Sequence, residues 1–347
     1  MIKQTQSRSM QEMNPATSLV ITSIAGSAHP VLHDYATQSV QNGIHFIVVG
    51  DVMSPDDIQI EGCDFYPLSR QQNLDYTLSV KLPLKNYARK NIGYLEAIRS
   101  GTRLIIETDD DNIPQSGFWS RRDAFIEAVS YEDTGWFNVY RQFTGTKIWP
   151  RGFPLEYINQ PAVTTSREAQ LHFCPIQQGL VDGDPDVDAI YRLTQPVGDI
   201  LFASGQIVLG RNSWCPFNSQ NTTWFAAAFP LLYLPSLCNF RLTDIWRSLV
   251  AQRICWENDW KILFHTPTLH QERNPHSLMD DFAKEINGYL YNRILSEKLT
   301  GLPLREGTTH IADNLLQCYR LFVDMKLLPK EELTLVYAWL NDIYKIL

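Results

Sequence analysis

The chain has no C-x-x-C pair, and none of its six cysteines stands at zinc-like spacing to histidines. Cys63, Cys174, Cys215, Cys238, Cys255 and Cys318 therefore read as free thiols of a reducing compartment. There is no G-x-S-x-G elbow, no Walker A loop and no H-E-x-x-H helix, which removes three common catalytic templates. G-x-G-x-x-G is missing too, and with it the usual dinucleotide fingerprint. No apolar run is long enough to span a bilayer, because the most apolar stretch, 225–240, is broken by Pro230 and Pro235. Residues 1–18 are polar and lack the apolar segment of a signal peptide. Positive charge is also short. Lys and Arg number 30 against 38 Asp and Glu, a formal net charge of −8. That argues against a nucleic-acid partner or an anionic-membrane surface. The expectation is a cytoplasmic protein without a transmembrane segment.

What is present suits a folded domain. The chain has 347 residues, 44% of them hydrophobic and 12% aromatic, enough to bury a sizeable core. Residues 19–24 form an apolar, β-branched run that reads as a buried first strand. Residues 31–41 suit a helix, 45–51 a second buried strand, and 65–68 a short third one. Residues 91–100 suit a helix stopped by Gly101, and a strand at 104–106 follows. Strands alternating with helices imply an α/β fold with a mostly parallel sheet flanked by helices. Residues 118–130 read as a further helix and 135–140 as a strand. A helix is expected over 243–256, with Thr243 as candidate N-cap. Beyond 277 the chain reads as helical, with breaks near Gly301 and Pro329. The expected organisation is a polar tail (1–16), an α/β domain (17–275) and a helical C-terminal region (276–347).

One run stands out. Three carboxylates, Asp109, Asp110 and Asp111, follow the apolar strand 104–106. Ligands of open α/β sheets bind at the carboxyl ends of strands. Clustered carboxylates there suit a hard divalent cation that bridges phosphates. Arg89 and Lys90, just before a helix N-terminus, could neutralise part of a diphosphate. Asp184, Asp186 and Asp188, with Arg192 as a cation, suit a loop that reads sugar hydroxyls. A calcium loop is excluded there, because Val187 and Leu193 occupy the positions that need Gly and Glu. Asn218, Gln220 and Asn221 lie near Phe217 and Trp224, amides for hydroxyls and rings for a sugar's apolar face. Asp244, at the start of a helix, could act as a general base. His276 or His270 could complete a metal shell.

These segments resemble the STELLO family of glycosyltransferases. The resemblance lies in RKNIGYLEAI (89–98), the Asp109–Asn112 cluster, QQGLVDGDPDVDAIYRLT (177–194), PFNSQNT (216–222), DIWRSLVAQR (244–253) and RNPHS (273–277). STELLO-like sequences are in turn distantly similar to plant reversibly glycosylated proteins, which include UDP-arabinopyranose mutases. The resemblance implies a GT-A-like fold. It puts the end of the first strand, Thr22 and Ser23, with Asp51 near a nucleobase. It puts Asp109, Asp110 and Asp111 around ribose, metal and diphosphate, with Mn²⁺ or Mg²⁺ held by Asp109, Asp111 and His276. Asp244 falls where inverting GT-A enzymes place a catalytic acid, although no acidic residue precedes Thr243. Plant members are anchored in the Golgi and linked to cellulose synthesis. Residues 1–18 hold no such anchor, so that location is not carried over. The expected activity is transfer from a nucleoside-diphosphate sugar, UDP-sugar favoured, to a glycan or lipid-linked glycan. The expected setting is bacterial surface-polysaccharide synthesis, with peripheral association with membrane-bound assembly machinery. The alternatives are a nucleotide-sugar mutase and a non-catalytic nucleotide-sugar-binding scaffold.

Overall fold

The computed structural model describes residues 16–164, 168–195, 198–272 and 277–347. Its centre is a ten-stranded mixed sheet, counted among the described residues. Seven strands carry the argument: β1 (Thr17–Thr22), β2 (His45–Val49), β3 (Cys63–Tyr66), β4 (Leu104–Thr108), β5 (Ile176–Gly183), β6 (Asn221–Phe225) and β7 (Ile262–Gln271). Their order across the sheet is β3-β2-β1-β4-β6-β5-β7. The short strands Gln206–Leu209 and Ser130–Tyr131 extend the far edge. The fold is α/β, but the sheet is less parallel than expected. β6 runs antiparallel to both β4 and β5, while β1, β2, β3 and β4 pair in parallel.

That reversal positions the site. Asn221 at the start of β6 lies opposite Thr108 at the end of β4. The loop before β6 therefore meets the acidic loop after β4. β5 and β7 are parallel, with Gly183 opposite Gln271. Gln271 also pairs with Asn112 of the short strand Asn112–Pro114. Four loops that are far apart in sequence thus reach one edge of the sheet.

The strands are buried because their residues are apolar on both faces. Leu19, Val20 and Ile21 of β1 are all inaccessible, as parallel strands covered by helices require. Helix α1 (Pro30–Asn42) starts with proline at its first turn and ends at the left-handed Gly43. Helix α2 (Lys90–Arg99) lies hard against the sheet at Gly93, where a Cβ would come within 2.5 Å of Val20. Helix α3 (Phe240–Trp256) is buried along almost its whole length. It begins three residues earlier than expected. Asn239 caps it by accepting from Arg241 N, and Thr243 lies inside.

Two sequence expectations are corrected here. Residues 118–130 are not a helix. Ser116–Trp119 is a 3₁₀ turn, and Phe125–Ala128 pairs antiparallel with Gln170–Phe173. Phe125 sits opposite Phe173, ring centroids 5.0 Å apart, a cross-strand pair that local pattern cannot reveal. In the segment 135–140 only Gly135–Trp136 is strand, and Tyr140 opens a short helix.

The C-terminal helices α4 (Leu278–Thr300), α5 (Ile311–Asp324) and α6 (Glu332–Ile346) share one apolar cluster with the sheet and α3. Polar ties reinforce the packing. Asp342 accepts from Thr77 N at 3.0 Å and Leu78 N at 2.7 Å, and Glu332 accepts from Ser236 N and Leu237 N ahead of α3. All six cysteines are free thiols. No helix among the described residues is long and apolar enough to cross a membrane.

Candidate active site

A cavity of about 580 Å³ opens where these loops converge. Among the sequence candidates, Thr22, Ser23, Asp51, Arg89, Asp109, Asp110, Asp111, Asp186, Asn218, Gln220 and Asp244 line it. Ile24, Met53 and Phe240 are exposed apolar side chains of the same lining.

The acidic loop is held from several sides. Tyr87 OH donates to Asp109 Oδ1 at 2.7 Å, and Lys90 Nζ donates to the same oxygen at 3.0 Å. Ser23 donates to Asp110. Gln271 Nε2 donates to Asp111 Oδ2 at 2.9 Å. Burial pushes the Asp111 carboxyl up to about 6, and the charges of Asp109 and Asp110 add to the rise. Burial raises Asp109 as well, while Lys90 and Tyr87 oppose it. Burial and mutual repulsion thus oppose ionisation of these carboxylates, and a cation bound between them would favour it. Among the described residues, no three His, Cys, Asp or Glu side chains gather into a metal cage. Two carboxylates that leave other positions to phosphate and water suit Mg²⁺ or Mn²⁺ better than a closed protein cage would. His276 lies outside the described residues. His270 packs beside Gly183, away from the cavity lining.

Lys90 has another role than the one expected. Its side chain is 0% exposed, and it donates to Thr108 O at 2.6 Å and Tyr87 OH at 2.8 Å besides Asp109. A cation spent on the protein's own oxygens cannot also face a phosphate, so it fixes the acidic loop. Arg89 does line the cavity. Its Nε donates to Gln71 Oε1 at 2.7 Å and Nη1 to Leu82 O, yet buried Nη2 has no partner among the described residues.

Four further candidates stand outside the lining. Asp188 is fully buried, capping the helix Ala189–Thr194 and accepting from Trp149 Nε1 at 2.6 Å. Asp184 pairs with Arg192, whose Nη2 also donates to Pro185 O. Asn221 spends its amide on Leu180 O and Thr268 Oγ1. Each satisfies buried backbone or a neighbouring charge, which is the common duty of such side chains in tight loops.

Sequence reasoning missed Arg151, which is central. Its Nη1 and Nη2 donate to Asp244 Oδ1 and Oδ2 at 3.1 and 2.9 Å. Its Nε reaches both oxygens of Asp186, at 2.8 and 3.0 Å. Asn218 Nδ2 donates to Asp186 at 2.8 Å, and Ser219 N to Asp244 at 3.3 Å. Burial would raise Asp186, but Arg151 outweighs it and holds the carboxyl well below the usual range. Arg151 is itself set by Gly152, whose φ of 84° is left-handed and whose Cβ would lie 2.4 Å from Ile245 Cγ2. Asn292 on α4 donates to Gly152 O at 2.8 Å. The sequence signal available was only an isolated arginine between proline and glycine, too common to single out. Gln271, Asn86 and Tyr87 were missed likewise.

No family model matches the chain. Two curated plant relatives do: "Probable glycosyltransferase STELLO2" and "Probable glycosyltransferase STELLO1" of Arabidopsis thaliana. Each is 30% identical over 252 residues, 66% of this chain and 32% of the relative. The chain thus spans about a third of the length of the curated relatives it matches. A solved mannosyltransferase, PcManGT from Pyrobaculum calidifontis in complex with GDP-Man and Mn²⁺, aligns over 96% of this chain and 87% of that one. Identity is 10% and the TM-score 0.34, a loose likeness only. Over 66% of its length the chain is thus similar to the two STELLO proteins, each described as a probable glycosyltransferase.

Proposed function

We propose that this protein transfers a glycosyl unit from a nucleoside-diphosphate sugar, UDP-sugar favoured, to an acceptor hydroxyl, with inversion. The observation that carries the reading is the meeting of the Asp109–Asp111 cluster with Asp244 across one cavity. A cation–diphosphate end and a carboxylate end are what such a displacement needs. Asp109 and Asp111 would hold Mn²⁺ or Mg²⁺, which supplies neutralisation of charge on the leaving diphosphate. Arg89, whose buried Nη2 has no partner among the described residues, and Asp51 would form the nucleotide end of the cavity lining. Asp244 receives the acceptor proton. The acceptor oxygen bonds to the anomeric carbon as the bond to the diphosphate oxygen breaks, and that electron pair leaves with the diphosphate. Asn218 and Gln220 line the cavity between the two ends and suit sugar hydroxyls. The rim of Ile24, Met53 and Phe240 suits the apolar part of a glycan or lipid-linked glycan, and we place the reaction in bacterial surface-polysaccharide synthesis at a cytoplasmic membrane face.

Calorimetry tests the metal end. UDP should bind far more tightly with Mn²⁺ than with EDTA, and Asp111→Ala should abolish that difference while the fold persists. Equal affinity with and without metal would sink the reading. Asp244→Asn should spare UDP binding and lower transfer by roughly 10²–10⁴-fold, as loss of a general base does. Isomerised donor produced without any acceptor would favour a mutase.

A further inference from the structure

Asp244 as seen is an awkward base. Both of its oxygens are taken by Arg151. If Arg151 had no other anion, a proton on Asp244 would strand a buried guanidinium, which is strongly unfavourable. The structure supplies a second anion. Arg151 makes three contacts to Asp186 at 2.8–3.0 Å, against 2.9–3.1 Å to Asp244. Asn218 adds a donor to Asp186, while Arg151 N donates to the Asp186 carbonyl at 3.0 Å and fixes the two backbones.

We infer that Asp186 is the standing counterion of Arg151, and that this pair positions Asp244 and leaves it able to take up a proton. The assignment rests on the reading of Asp244 as the base. It moves Asp186 from sugar contact to a positioning role, and makes Arg151 the hinge of a two-carboxylate relay. When Asp244 is neutralised, Arg151 keeps a full ion pair. When Asp244 is ionised, the guanidinium is shared and holds its two oxygens in place. Among the described residues, Asp244 also meets Ile245 N on its own helix at 3.0 Å, Ser219 from the loop before β6 and Cys238 ahead of α3, and Arg241 acts on Asp186 beside Arg151. Tyr87 and Arg247 act at longer range.

The test is carboxyl NMR on protein labelled with ¹³C-aspartate. The Asp244 signal is identified by its loss in Asp244→Asn. Removing the cation with Arg151→Gln should raise the Asp244 titration midpoint by about one pH unit or more, and removing the counterion with Asp186→Asn should lower it by a similar amount. Arg151→Lys keeps the charge and should stay near the wild type, which serves if the glutamine variant does not fold. Opposite movements are a signature that a purely structural role would not give. An unmoved midpoint in both variants, or movement in the same direction, overturns the relay. That outcome is independent of the transfer assay, so loss of the relay and loss of the base reading are told apart.

Discussion

Lys90→Met removes the cation beneath the acidic loop while keeping most of the side chain's length. Three oxygens lose a close donor: Thr108 O, Tyr87 OH and Asp109 Oδ1, at 2.6, 2.8 and 3.0 Å. Breaking a fully buried pair costs about 3–5 kcal/mol. Here the lysine is 0% exposed but the Asp109 side chain is 31% exposed, so water rescues part of the carboxylate. The expected loss is about 2–3 kcal/mol, less than for a pair sealed on both sides. With an unfolding entropy of about 2.1 cal/mol/K per residue, that is a Tm drop of roughly 3–4 °C for a chain of this length. Calorimetric unfolding of four proteins measures it: wild type, Lys90→Met, Asp109→Asn and the double variant. Once Asp109 is neutral, Lys90→Met should cost about 1–2 kcal/mol less, the coupling expected of two groups in contact. Additive effects would refute the argument. So would a single-variant loss below about 0.5 kcal/mol, since that is how an exposed ion pair behaves.

Gly152→Ala should destabilise by about 2 kcal/mol or more, because its left-handed φ and the Ile245 methyl 2.4 Å from a new Cβ both oppose it. Urea unfolding reads the loss, and near-wild-type stability would show that the turn under Arg151 is soft. Burial first, then Arg122, pushes the His265 imidazole down to about 4. The unfolded chain therefore binds the proton first, and stability should fall as pH drops from about 6.5 towards 4, by roughly 1–2 kcal/mol for a ring with partial access to water. His265→Gln should flatten that part of a urea-midpoint profile between pH 7.5 and 5, and an unchanged slope would remove His265 as its source.

The part of the fold that could be read from sequence is the part built from local pattern. β1, β2, β4 and α2 follow from uninterrupted apolar runs and their punctuation, and each falls within a few residues of where the pattern puts it. Asp109–Asp111 could be read for the same reason, as acids directly after such a run. What local pattern cannot hold is strand order. The antiparallel β6 is an ordinary Asn-Thr-Thr-Trp-Phe segment, and nothing in it announces a reversal beside β4. Phe125–Ala128 is misread because its partner strand is over forty residues away. The Asp-rich loop 184–188 is recognisable as polar and unusual, yet its members divide by geometry. Asp186 turns to the cavity, Asp188 caps a helix, and Asp184 closes on Arg192. Two-residue steps along a loop decide this, and sequence spacing alone does not.

The C-terminal helices complete the argument about how the base end is built. Asn292 on α4 donates to Gly152 O and accepts from Trp246 Nε1 on α3 at 3.0 Å. One amide therefore joins the turn that carries Arg151 to the helix that carries Asp244. Seven residues earlier on the same helix, Glu285 accepts from Arg241 at the start of α3 and from Ala189 N at the end of the Asp-rich loop. Glu332 at the start of α6 gathers two backbone donors just ahead of α3. The three elements that bring Arg151, Asp186 and Asp244 together are thus tied to one another through α4 as well as by their direct bonds. Fully satisfied buried polar networks of this kind rigidify a unique arrangement, and a guanidinium shared by two carboxylates needs such rigidity, since its bonds weaken steeply with misalignment. The helical region beyond the sheet is in this sense part of the site, although none of its residues lines the cavity.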